Sequence, residues 1–355
     1  MHTLWSMCKK RQGYILLVLI VALALAGCNA GVTTSGITTT ASDSTTTSGS
    51  GAQGVQVFVE PAAGYHVIAD AINGAKKSVY VEMYLLTERH IISSLEEAAH
   101  RGLDVRVMLD GHPYGSGSVS PTQTLDRLNA AGVQAKTTNP TFALTHEKGM
   151  VIDGATAYIT TANYTVSALG GSSSTTNREY GIIDTNTQDV QTVTDIFNAD
   201  WNRTNVRISD PNLVVSPINS RNNFTALINS AHKTLLIEAE EMQDSGIEQA
   251  IVNAAKRGVQ IQVIAPLPSN ASSDSNSQGI STIKQGGAQV KEDGHYYMHA
   301  KIIVVDGQKA FVGSENISTA SLERNRELGI LVSDSGVINT LQQTFQQDWG
   351  DSQSA

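Results

Sequence analysis

Cysteine is nearly absent from this chain of 355 residues: only Cys8 and Cys28 occur, both close to the N-terminus. Whatever folds beyond them lacks the residue, which excludes an intrachain disulfide and a thiolate zinc centre there. Basic charge is scarce too. Lys and Arg total 24 against 33 Asp and Glu, a formal net charge of −9. A global positive field for nucleic acid is therefore missing, although a local basic groove remains compatible with that balance. Only one long apolar run is present, Tyr14–Ala26, and it is too short for a comfortable membrane span. Large apolar residues almost vanish between Asn29 and Gly54, where Thr, Ser and Gly dominate. Such a stretch cannot bury enough surface to offset its ordering entropy, so residues 28–54 read as a flexible tether.

What the chain does contain is a pattern written twice. His146-Glu147-Lys148-Gly149-Met150-Val151-Ile152-Asp153 and His299-Ala300-Lys301-Ile302-Ile303-Val304-Val305-Asp306 both read H-x-K-x4-D. Each is followed at the same distance by an asparagine, Asn163 or Asn316. The repeat extends further. Tyr80-Val81-Glu82-Met83-Tyr84 matches Leu236-Ile237-Glu238-Ala239-Glu240, and Arg101-Gly102 matches Arg257-Gly258. Asn177-Arg178-Glu179 matches Asn325-Arg326-Glu327, and the helix ending Asp200-Trp201 matches that ending Asp348-Trp349. Several elements in one order are far harder to obtain by chance than one short motif.

From His146 to Ile152 the residues alternate as in a strand, which puts His146, Lys148, Met150 and Ile152 on one face. Asp153-Gly154 is a hairpin turn signal, repeated at Asp306-Gly307. Asp153 and Asp306 then fall on the opposite face from the histidines and read as turn and scaffold residues. Strand-like and helical spacings alternate throughout, which indicates an α/β fold with a mixed sheet in each half.

The residue types suit phosphodiester chemistry. Lys148 and Lys301 supply compact positive charge for phosphoryl oxygens, and Asn163 and Asn316 supply amide donors. Thr161 and Ser314, two residues before each asparagine, place hydroxyls as further phosphate support. Two histidines suit a two-step displacement, one attacking phosphorus and the other moving the alcohol's proton. Glu179 and Glu327 would orient the imidazoles. With no cysteine and no dense carboxylate cluster beside either motif in the linear sequence, no metal and no cofactor is expected. Arg178 and Arg326 suit either phosphate binding or pairing with an acid.

With these residues in place, the chain resembles the phospholipase D superfamily of two-motif phosphodiesterases, over nearly everything after the first fifty-odd residues. The resemblance implies two similar α/β halves, residues 55–205 and 206–355, related by a pseudo-two-fold axis with one active site at their interface. It implies His146 as nucleophile and His299 as acid/base, and a monomer suffices for one site. The family's usual Gly-Ser-x-Asn survives as Gly313-Ser314-Glu315-Asn316 but becomes Thr160-Thr161-Ala162-Asn163 in the first half. The leading expectation is a phospholipase D that hydrolyses a glycerophospholipid to phosphatidic acid and a free head group, with transfer to another alcohol competing. The alternatives are an extracytoplasmic endonuclease acting on DNA or RNA, a cardiolipin-synthase-like transferase, and a catalytically dead binding protein. Phospholipid is the expected partner, with nucleic acid second.

The N-terminus fits the lipid reading. Lys9-Lys10-Arg11, the apolar run and Leu25-Ala26-Gly27-Cys28 resemble a bacterial lipoprotein signal spanning residues 1–27. By that resemblance Cys28 is the lipidated residue, and the protein is extracytoplasmic and anchored to a bacterial membrane.

Overall fold

A computed structural model of the chain describes residues 51–113, 121–171, 174–270 and 274–355. The signal-like segment, Cys28 and the tether up to residue 50 lie outside the described residues. The first half runs β1 (Gln56–Glu60), α1 (His66–Gly74), β2 (Ser78–Met83), α2 (Arg89–His100), β3 (Asp104–Leu109), α3 (Pro121–Ala130), β4 (Gln134–Thr137), β5 (Lys148–Ile152), β6 (Thr156–Thr160), β7 (Asn177–Asp184) and α4 (Thr187–Asn202). The second runs β8 (Leu213–Ser216), α5 (Ser220–Asn229), β9 (Thr234–Ala239), β10 (Met242–Gln243), α6 (Ser245–Lys256), β11 (Gln260–Pro266), α7 (Ser277–Gln285), β12 (Gln289–Asp293), β13 (Tyr297–Met298), β14 (Lys301–Val305), β15 (Lys309–Gly313), β16 (Ile317–Ser318), α8 (Thr319–Glu323), β17 (Glu327–Val332), α9 (Ser335–Asp351) and β18 (Gln353–Ser354).

Both sheets are mixed and share one order. The first is β1-β7-β6-β5-β2-β3-β4, and the second is β8-β17-β15-β14-β9-β11-β12 with β18 at its edge. The α/β-unit strands pair in parallel, β2 with β3 with β4 and β9 with β11 with β12. The hairpins β5–β6 and β14–β15 pair antiparallel. Val151, Ile159 and Ile182 from one sheet share a core with Ile302, Val312 and Ile330 from the other, joined by Ile196 of α4 and Phe345 of α9. Met150 and Ile152, on the opposite face of β5 from Val151, pack with Ile68 and Ile91 under α1 and α2. Each fully buried aliphatic side chain of this kind contributes about 1.5–3 kcal/mol relative to exposure.

The two hairpin aspartates sit at φ 57° and 53°, each followed by a glycine at positive φ. Both central turn residues are thus left-handed, as a type I′ turn demands. Asp153 accepts from the amides of Lys76, Lys77 and Ser78 at 2.6–3.0 Å. Asp306 accepts from His232, Lys233 and Thr234 at 2.7–2.9 Å. Each carboxylate fixes the chain entering the strand beside its own hairpin, far from the histidines.

The halves are tied by exchanged ion pairs. Arg178 of β7 binds Asp348 of α9 through two bonds of 2.6 and 2.7 Å, and Arg326 meets Asp200 of α4 at 2.7 and 3.0 Å. Asn186 and Asp334 cap α4 and α9 with their side chains, which fixes the helices that carry those aspartates. Both guanidiniums also donate to backbone carbonyls, of Glu60 and Ser216. Of the two roles open to these arginines, the structure shows acid pairing. Residues 51–54, counted above as tether, are also engaged: Ala52 is buried and bridges Val332 of β17. A short polar segment is held here by backbone pairing with the second sheet, which composition does not reveal.

A second correction concerns acidic groups. Glu82, Glu147 and Asp200 bring carboxylate oxygens within 4.8 Å of one another, buried beneath the first motif. Linear sequence disperses them over three elements, so no cluster was expected. Arg326 pairs with the group through Asp200. Burial and the neighbouring carboxylates push Glu82 far above the carboxylate range, and burial with the Asp200 charge pushes Glu147 up to about 8. Burial raises Asp200 as well, against the Arg326 charge and hydrogen bond, so it favours the neutral form of all three acids.

Two stability predictions follow from these contacts. Asp153→Ala leaves three amides without their acceptor and should lower the unfolding free energy in urea by about 1–3 kcal/mol, with kcat unchanged. Glu147 binds a proton in the folded state over a window, about 4.5 to about 8, in which the unfolded chain has released it. Its contribution to stability is thus lost as pH rises through that window. Glu147→Gln should flatten the fall in stability across it, and an unchanged slope would show that Glu147 is ionised in the fold.

Candidate active site

The beginnings of β5 and β14 and the ends of β2 and β9 meet at the interface of the halves. A cavity of about 360 Å³ opens there, lined by His146, His299, Asn163, Asn316, Tyr84 and Glu240 among others. Both imidazoles are nearly buried, with side chains 12% and 9% exposed. Each is held by the opposite half. His146 Nδ1 lies 3.0 Å from Glu327, and His299 Nδ1 lies 2.7 Å from Glu179. In each ring the Nδ1 contact leaves Nε2 as the nitrogen available for chemistry.

Backbone pairing makes this exchange possible. Tyr297 and Met298 pair in parallel with Asn177 and Arg178, and Thr145 bridges Arg326 in the same sense. The strand leading to each histidine thus runs alongside the other half's Asn-Arg-Glu segment. Glu327 also accepts from Ser321 at 2.7 Å and Asn325 at 3.1 Å, and Glu179 accepts from Asn177 at 3.0 Å. Burial opposes ionisation of Glu327, yet the His146 charge and hydrogen bond and the Lys148 charge outweigh it and hold the carboxyl below its usual range.

The lysines lie under the cavity floor, 1% and 3% exposed. Lys148 Nζ donates to the His146 carbonyl at 2.7 Å, and Lys301 Nζ to the His299 carbonyl at 2.5 Å. Burial, reinforced by the Lys301 charge, brings Lys148 down to about 7. Burial is also the main reason that His146 falls below its usual value, with the Glu327 charge opposing and the lysine charges assisting. Asn163 and Asn316 are buried at the cavity wall, and the carboxamide oxygen of each has no hydrogen-bond partner among the described residues.

Thr161 and Ser314 are placed differently from the phosphate support read above. Both are fully buried. The Thr161 hydroxyl donates to Glu179 at 2.6 Å and accepts from the Tyr180 amide, while the Ser314 hydroxyl accepts from the Leu328 amide at 3.0 Å. They brace the carboxylate strands because β6 and β15 turn these positions into the sheet. Gly313 has a similar sheet-internal reason: an added Cβ would lie 2.4 Å from the Gly329 Cα on the paired strand. Thr160 faces Gly181 instead, so loss of the first glycine changes sheet packing and not the approach to the cavity.

One residue that lines the cavity was given no role by the sequence reading. Glu240 puts Oε2 2.7 Å from Lys301 Nζ and 3.5 Å from His299 Nε2. The signal was available: alignment of the halves sets Glu240 opposite Tyr84, whose ring centroid lies 4.7 Å from that of His146 in a T-shaped arrangement. The arrangement as a whole offers two buried imidazoles, two ammonium groups and two amides around one small cavity. That is a set able to hold a phosphodiester and move its phosphoryl group through a histidine.

Among the described residues no helix is long and apolar enough to cross a membrane. Curated relatives match most of the chain. A cardiolipin synthase of Oceanobacillus iheyensis is 24% identical over 83% of this chain and 68% of its own length. A probable cardiolipin synthase of Bacillus subtilis is 23% identical over 81% and 64%. The chain thus spans about two thirds of the length of these relatives. Among solved structures, the phosphatidylserine synthase of Haemophilus influenzae superposes with a TM-score of 0.66 at 13% identity, over 86% of this chain and 88% of that one. The polyphosphate kinase of Porphyromonas gingivalis gives 0.65 at 17% identity, over 82% and 46%. At such identities these two establish the fold alone. The relatives with high coverage carry the name of a synthase, so the expectation of a head-group hydrolase is corrected in favour of the transferase alternative. The family described as "Cardiolipin synthase, PLD-like domain" matches residues 68–201 and 224–349. With its two interlocked motifs and these matched segments, the chain belongs to that family within the phospholipase D superfamily.

Proposed function

We propose that this protein is a phosphatidyl transferase of the cardiolipin-synthase kind, exchanging the alcohol of a phospholipid phosphodiester at a metal-free site. The observation that carries this reading is the pair of buried imidazoles, each oriented by a carboxylate of the opposite half, facing one cavity. The names of the high-coverage relatives support transfer as the reaction.

In the first step His146 Nε2 attacks phosphorus, the P–O bond to the head-group alcohol breaks, and His299 gives that oxygen its proton. In the second, an incoming alcohol gives its proton to His299 and attacks phosphorus, and the N–P bond breaks. The lowered pKa of His146 supports its role as nucleophile, because the ring is then a free base at neutral pH. Lys148, Lys301, Asn163 and Asn316 hold the phosphoryl oxygens. The lipid substrate and an anchor at Cys28, which would hold the enzyme on its membrane, are parts of the same proposal.

The test uses the full chain in mixed micelles of phosphatidylglycerol with excess chelator. Cardiolipin and free glycerol should accumulate. Phosphatidic acid as the sole product would refute transfer, and loss of turnover in chelator would refute the metal-free site.

His146→Ala and His299→Ala should each lower turnover by ~10³-fold or more. They separate on a lipid bearing p-nitrophenol, a leaving group that needs no proton: His299→Ala should still release one equivalent and leave a trappable phosphohistidine, whereas His146→Ala should release none. The reverse pattern would exchange the two roles.

For pH, kcat/KM should fall on the acid side as His146 gains a proton, below the usual imidazole value. It should fall on the alkaline side near 7 as Lys148 loses one. Bound phosphodiester favours the ammonium form, so the alkaline limb of kcat should lie higher than that of kcat/KM.

A further inference from the structure

Strand for strand the halves agree, but at the ends of β2 and β9 they part. The first half has Tyr84 and the second Glu240. Tyr84 gives its motif an aromatic wall, its ring set at 67° to that of His146 and Lys148 Nζ 5.4 Å from its centroid. Glu240 gives the other motif a charge. Its Oε2 takes Lys301 Nζ at 2.7 Å and Asn316 Nδ2 at 3.3 Å, and lies 3.5 Å from His299 Nε2. Its Oε1 accepts from the Tyr297 hydroxyl at 3.2 Å. Burial alone would favour the neutral acid. The His299 and Lys301 charges and the Lys301 hydrogen bond overcome it and hold the carboxyl far below its usual range.

An ionised carboxylate beside the reacting phosphorus repels phosphoryl oxygens and can only accept hydrogen bonds. The neighbour it suits is the alcohol. His299 Nε2, the nitrogen that serves the ester oxygen in the transfer proposed above, is next to it. Beyond Glu240 a second cavity of about 280 Å³ opens, bounded by Glu241, Tyr297, Gln243, Ser275 and Asn276. Polar groups dominate its wall, which Pro266, Leu267 and Pro268 also join, whereas the wall beside His146 includes Tyr84, Leu85 and Leu144. The site is therefore more polar on its His299 side than on its His146 side.

We propose that Glu240 determines which alcohol is exchanged, selecting one that carries a further hydroxyl or ammonium donor next to its ester oxygen, a polyol or an amino alcohol. When a phosphoryl group takes the Lys301 and Asn316 donors, the carboxylate turns toward the second cavity and receives those donors of the alcohol. This rests on the transfer reaction proposed above, and it adds the residue that selects the alcohol.

The experiment uses the full chain with a short-chain phosphatidyl p-nitrophenol as donor. Glycerol, ethanolamine and 1-propanol compete as acceptors. Wild type should favour glycerol or ethanolamine over propanol by about tenfold or more, the scale of one hydrogen bond to a charged group. E240Q should bring the ratio near parity and lower the KM of the donor, because a repelling charge is gone. A larger loss with ethanolamine assigns the ammonium, and an equal loss assigns the hydroxyls. Release of p-nitrophenol reports that the variant is folded and competent for the first step. An unchanged acceptor ratio in E240Q overturns the assignment, as does an equal rise with all three alcohols, which would make Glu240 a mere occupant of the phosphate position. Absence of any transfer product from the wild type overturns the transfer reading itself, and the role of Glu240 with it.

Discussion

The site depends on an exchange. Each half supplies a histidine that the other half orients, through His146–Glu327 and His299–Glu179. The same three-residue segments that carry those glutamates carry Arg178 and Arg326, which pair with Asp348 and Asp200 across the interface. Docking of the halves and assembly of the chemistry are thus one event. A half by itself would have an imidazole without its carboxylate and a buried aspartate without its guanidinium, which is costly. Gene duplication accounts easily for the repeated strand order; the crossed contacts explain why both copies are kept in one compact arrangement.

Much of this was legible in the residues. The repeat led to two mixed sheets, the spacing led to paired imidazoles and lysines, and the Asp-Gly turns led to scaffold roles for Asp153 and Asp306 that their amide contacts match. What stayed hidden needed knowledge of the partner face. Nothing in Glu179 says that it serves His299 and not His146, because both motifs read alike. Glu82, Glu147 and Asp200 converge only after β2, β5 and α4 are packed. Thr161 and Ser314 looked like phosphate ligands because hydroxyls near a phosphate site usually are, and the sheet turned them inward. Glu240 was visible as a mismatch between halves, but a mismatch has no chemistry until Lys301 stands 2.7 Å away.

Fold and reaction separate clearly here. A phosphatidylserine synthase and a polyphosphate kinase share the architecture at TM-scores of 0.66 and 0.65, although the two are named for different chemistry. One architecture is compatible with many reactions, so specificity has to come from the residues that line the site. In this chain the walls are unlike each other, aromatic and aliphatic beside His146, carboxylate and amide beside His299. A symmetric scaffold thereby acquires a direction.

The pairing of Ala52 with Val332 has a mechanical meaning. Ser333 donates to the Ala52 carbonyl at 2.9 Å, Gln53 reaches Ser333, and the Gly54 amide binds the capping carboxylate of α9 at 3.0 Å. Gly51, at φ 87°, presses so closely on Ser333 that a side chain would collide with its backbone nitrogen. The segment that precedes the first sheet is therefore stitched to the second. A pull on the backbone at Gly51 would therefore reach β17 and the cap of α9 in the second half before it reached β1 in the first.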